Sequence, residues 1–125
     1  MKIIEIISVA IMLLPFSLIS AQNDVKLECG ILNEEVEKIL CRVEVIRVDY
    51  DRKVKFLWHS SSYPQDDRER TIVLSAGHGS VYDYRFLRGR AQGEWIVTST
   101  VNNIDKDVVV RHVFMLDGAK LIKKQ

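Results

Sequence analysis

From Lys53 to His59 the chain alternates without a break: Val54, Phe56 and Trp58 fall on one parity, with Lys53, Lys55 and His59 on the other. A period of two belongs to a strand buried on one face, because successive side chains of a strand point to opposite sides. The pattern returns from Glu94 to Val101, where Trp95, Val97 and Val101 alternate with Glu94, Thr98 and Thr100. It returns again from Val81 to Leu87, where Tyr82, Tyr84 and Phe86 share one parity and Asp83 and Arg85 the other. Two further strands are expected over Arg70 to Ala76 and over Val108 to Leu116, the latter an apolar run broken only by Arg111 and His112.

The segments between these strands carry turn chemistry. They are Ser60 to Asp67, Gly77-His78-Gly79-Ser80, Arg88 to Gly93, Asn102 to Asp107, and the closing Asp117-Gly118. Ahead of them, Val25 to Leu32 and Ile39 to Tyr50 flank a polar stretch and read as a hairpin, with a short helix over Glu34 to Leu40 as the competing local reading. Within Ile39 to Tyr50 the apolar parity slips, from Cys41, Val43 and Val45 to Ile46, Val48 and Tyr50. Such a slip requires a bulge or a chain that passes from one sheet to another. Seven or so short strands with no long helical period predict an all-β domain, an antiparallel β-sandwich or a small β-barrel.

The only two cysteines, Cys29 and Cys41, each lie six positions from Glu35, so folding the hairpin about that residue sets them opposite one another. Directly opposed residues of antiparallel strands come close enough to bridge, and a disulfide is expected. Closing so short a loop contributes about 3 kcal/mol in the chain-entropy model. A catalytic thiol or a zinc site would want different spacing or more ligands.

The first residues set the expected address. Lys2 precedes an apolar run from Ile6 to Ile19, and Ser20-Ala21 precedes the polar Gln22-Asn23-Asp24, which is the order of a secretory signal peptide cut after Ala21. An uncleaved anchor is the alternative, since the run approaches the about 18 residues of a membrane span. The expected organisation is a signal peptide over residues 1–21 and one β domain over 22–125, periplasmic or secreted, its mature form not embedded in a membrane. Because the leader holds one Lys and one Glu, the formal net charge is +1 with or without it, and no bulk charge recruits nucleic acid or membrane.

From Val54-Lys55-Phe56-Leu57-Trp58 through Gly93-Glu94-Trp95-Ile96-Val97 to Val113-Phe114, the chain resembles a family of short bacterial envelope domains of unknown function. That resemblance implies an immunoglobulin-like sandwich, and its motifs are those of core packing. A second resemblance, to the periplasmic inhibitors of C-type lysozyme, rests on Ser75-Ala76-Gly77-His78-Gly79-Ser80-Val81-Tyr82, although the Ser-Gly-x-x-Tyr order of those inhibitors is not kept.

No residue pattern points to catalysis or to a cofactor. His59, His78 and His112 sit on separate elements without metal-binding spacing, and a triad written from Ser80, His78 and Asp83 lacks a nucleophile elbow. The candidate partner-binding cluster is His78, Tyr82, Tyr84, Arg85, Arg88 and Arg90, because aromatics beside arginines are what binding hot spots use. The bland reading, and the stronger one on pattern alone, makes Tyr82 and Tyr84 core beside Phe86 and leaves the arginines solvated. The expected function is therefore an exported, non-enzymatic binding or accessory module of the cell envelope, its partner a protein or an envelope glycan. The alternative is a periplasmic inhibitor or immunity protein that blocks a hydrolase such as lysozyme.

Overall fold

Alternation becomes architecture in the computed structural model, which describes residues 24–124. The leader expected over residues 1–21 lies outside the described residues. Eight strands form two antiparallel sheets: β1 (Lys26–Leu32), β2 (Lys38–Glu44), β3 (Arg52–Ser60), β4 (Arg68–Leu74), β5 (Ser80–Phe86), β6 (Gly93–Asn102), β7 (Asp107–Asp117) and β8 (Lys120–Lys124). The smaller sheet has the order β1-β2-β5 and the larger the order β4-β3-β6-β7-β8. The two sheets remain open, so the fold is a small β-sandwich and the barrel alternative is set aside. First, second and fifth strands against third, sixth and seventh is the immunoglobulin-like arrangement, here with the fourth strand moved to the edge of the larger sheet.

The inward parity of the larger sheet is the one its alternation foretells. Val54, Phe56, Trp58, Trp95, Val97, Val101, Phe114 and Leu116 are all buried. Trp95 stacks on Phe114 with ring centroids 6.5 Å apart and meets Trp58 edge-on at the same separation. Aromatic pairs in these geometries contribute beyond their buried area.

In the smaller sheet Cys29 pairs with Cys41 across β1 and β2, and the two are joined by a disulfide. The hairpin is thus confirmed and the competing helix over Glu34 to Leu40 is not formed. A persistent disulfide belongs to an oxidising compartment. The parity slip after Val45 has a simple cause. β2 ends at Glu44, and the chain then crosses to the opposite sheet, which it joins at Arg52. No helix of the described residues is long and apolar enough to cross a membrane.

Two features differ from the sequence reading. An eighth strand follows the Asp117-Gly118 turn, and it is a lysine-rich edge with only Leu121 half-buried; charged edges of this kind resist pairing with other chains. The second difference is an inversion of β5, and it shapes the site.

Candidate functional site

β5 turns its charged residues inward and its aromatics outward. Asp83 is 1% and Arg85 7% exposed, whereas Tyr82 is 58% and Phe86 50% exposed. The expectation that Tyr82, Tyr84 and Phe86 form core is therefore corrected, and so is that of a solvated Arg85.

What reverses the strand is a set of partners from distant segments. Asp83 accepts the indole N–H of Trp58 at 2.9 Å. It also takes Arg68 Nη2 at 3.0 and 3.1 Å and Arg70 Nη1 at 3.2 Å. Both carboxylate oxygens are thereby occupied, which removes Asp83 from any triad with His78 and Ser80. Arg85 bonds the carbonyl and the carboxylate of Asp66, the latter at 3.0 Å. Its guanidinium lies 5.5 Å from the Trp95 ring centroid and 5.9 Å from that of Trp58. Burial, and next the nearby Arg90, lower the pKa of Arg85, while the Asp66 carboxylate opposes them. Asp66 closes a short 3-10 turn, Pro64–Asp66, and also accepts Ala91 N–H at 2.8 Å and approaches Arg90 at 3.4 Å. The Ala91 carbonyl in turn accepts the Trp95 indole at 2.8 Å. Buried charges are ordinarily paired and hydrogen-bonded, and each charge on the inward face of β5 meets that condition.

The outward parity of the same sheet forms a continuous face. Strand register places Leu32, Lys38 and Phe86 in one row, Gly30, Leu40 and Tyr84 in the next, and Glu28, Arg42 and Tyr82 in the third. Tyr84 and Phe86 contact edge-on at 5.9 Å, and Lys38 Nζ stands 4.6 Å over the Tyr84 ring. At Gly30 a side chain would meet nothing within 4 Å, and the missing Cβ leaves a shallow depression of about 290 Å³ beside Leu32, Leu40 and Arg42.

The six residues of the sequence cluster are divided by the fold. His78, Tyr82 and Tyr84 come together in a groove of about 430 Å³ between β4 and β5, with Arg70 as its cation. Arg88 and Arg90 border a separate depression with Glu35 and Glu37, and Arg85 lies inside the sandwich. His78 is exposed on a turn held by Gly77, whose φ of +82° is left-handed and whose N–H and C=O bind Val48 O at 2.7 Å and Arg47 Nη1 at 2.8 Å. Leu32, Leu40, Lys38 and Arg42 were not singled out by sequence reasoning. Their signal was available, since the cysteine register fixes which parity of β1 and β2 faces outward. Among the described residues no three His, Cys, Asp or Glu side chains are grouped to hold a metal ion.

No protein-family model, curated protein or solved structure matches the chain.

Proposed function

We propose that this chain is an exported, non-enzymatic binding module of the bacterial envelope, and that it binds a polypeptide through the outward face of the smaller sheet. The supporting observation is the inversion of β5. Stability alone would favour Tyr82, Tyr84 and Phe86 inside and Asp83 and Arg85 outside, and departures from such local rules concentrate where a surface is used. Tyrosine, aliphatic side chains and an arginine and a lysine on one flat face match the composition of protein interfaces. The leader-like start, the disulfide and the resemblance to envelope domains all support the exported address.

The test passes envelope extract over the immobilised domain and over a Tyr82→Ser/Phe86→Ser variant, in parallel with sedimentation on purified cell-wall glycan. A polypeptide held by the first and not by the second supports the reading. Equal retention on both, or sedimentation with glycan alone, overturns it.

A second reading, inhibition of a cell-wall hydrolase such as lysozyme, is favoured by the turn that carries His78. That turn is pinned from both sides of Gly77 and stands beside Tyr82 in the same groove, and a pre-ordered loop lowers the entropic cost of inserting into a cleft. Unchanged lysozyme activity at micromolar protein retires it.

A further inference from the structure

Among the described residues, a buried cation without a counter-charge lies at the end of the sandwich where β1 begins and where the β2–β3 connection meets the β6–β7 turn. A cavity of about 710 Å³ opens there, within the range of small-molecule sites. Arg52 lines it and is 5% exposed. Its guanidinium donates to the Ile46 carbonyl at 3.0 Å and to Asn103 Oδ1 at 3.4 Å, and its Nε–H, like those of Arg68, Arg85 and Arg90, has no partner.

The other arginines that are buried or half-buried, Arg68, Arg85 and Arg90, each hold a carboxylate within 4.0 Å. Among the described residues Arg52 holds none; it is a buried cation with neutral partners only. A charge withdrawn from water ordinarily has a counter-charge, and the planar fork of arginine is suited to a carboxylate.

The rest of the cavity narrows the ligand class. Its wall is apolar, with Val25, Val45, Val48, Val108 and Val110. Its rim carries Asp24, Asp105 and Asp107 against the single Lys106. A simple anion would be repelled by that rim, whereas a molecule that also bears a cation is attracted by it.

We propose that this cavity binds a small zwitterion whose carboxylate meets Arg52 and Asn103, whose apolar body lies on the valines and whose ammonium group sits at the acidic rim. The inference is independent of the face used by the smaller sheet.

The experiment titrates the full chain with 6-aminohexanoate, hexanoate and hexylammonium and follows the Arg52 Nε–H and Asn103 amide signals by NMR. The expected result is saturable shifts with 6-aminohexanoate, binding weaker by about tenfold for hexanoate, and no Arg52 shift with hexylammonium; tenfold is the scale of one lost charge-assisted contact. Asp105→Asn/Asp107→Asn, which changes only exposed side chains, is expected to erase the preference for the zwitterion, weakening 6-aminohexanoate and tightening hexanoate as the repulsion of the rim is removed. Arg52→Gln is expected to abolish both. If it fails to fold, Asn103→Ala serves in its place and is expected to weaken both carboxylates. Absence of any Arg52 shift with either carboxylate overturns the site, and equal affinity for hexanoate and 6-aminohexanoate overturns the zwitterion class.

Discussion

The indole N–H of Trp58, on the larger sheet, donates to Asp83, on the smaller, across 2.9 Å of interior from which solvent is excluded. This bond joins the two layers at the point where β5 has turned its charges inward, and it makes Asp83 the residue on which the inversion rests.

Replacing Asp83 with Ala should therefore cost about 3 kcal/mol, since it orphans the Trp58 donor and leaves Arg68 and Arg70 without their counter-charge. Asp83→Asn keeps an acceptor for the indole and should cost less, about 1–2 kcal/mol. Urea unfolding of the two variants beside the parent checks the order. An Ala variant no weaker than the Asn variant would mean that the indole bond carries nothing.

The outward aromatics should behave in the opposite way. Tyr82→Ser and Phe86→Ser, at side chains half exposed or more, are expected to shift stability by no more than about 0.5 kcal/mol. Phe56→Ala, fully buried, should cost about 3–5 kcal/mol. Thermal melts of the three variants separate a face retained for contact from one retained for packing.

Reduction of the Cys29–Cys41 disulfide should lower stability by about 3 kcal/mol, through the freedom returned to the unfolded chain. For a domain of this size that corresponds to a fall in Tm of about 10–20 °C. Cys29→Ser/Cys41→Ser should reproduce the fall, and calorimetry with and without reductant measures both.

Acid should weaken the fold through His112. Burial lowers its pKa below 6.5, while the Leu27 carbonyl and the Glu28 carboxylate draw it back up and Lys123 opposes them. The folded state thus binds fewer protons than the unfolded one between the lowered value and 6.5, so stability is complete above that range and declines as pH falls through it. Asp67 adds a second, lower limb: burial raises its pKa, but hydrogen bonds from His59 and Ser60 N–H outweigh it, and the net shift is downward from 3.8. Stability from Asp67 is present above 3.8 and lost as pH falls below it. In His112→Asn the first decline should vanish and the second remain, as read from unfolding midpoints at successive pH values.

Much of this architecture was legible beforehand. The unbroken alternation at Val54, Phe56 and Trp58 and at Trp95 and Val97 specified both strand and inward face, because nothing polar competed for those positions. The cysteine spacing specified a register. In β5 the alternation correctly paired Tyr82 with Tyr84 and Asp83 with Arg85, but parity shows only which residues share a face. Which face is inward was decided by Arg68, Arg70 and Asp66, on segments whose proximity no local pattern reveals. β8 was missed because its lysines hide a strand that contributes little to the core. Arg52 escaped notice for a related reason: it stands one residue before the alternating run, and its burial depends on the chain crossing between sheets.

The sulfur bridge ties β1 to its neighbour at the strand's midpoint and lies within one layer of the sandwich, so that no disulfide joins the two layers. An outermost strand is ordinarily the segment that molecules trade with one another to form swapped dimers. Here such an exchange would first require a bond to be cut, so each copy keeps its own first strand for as long as its surroundings stay oxidising.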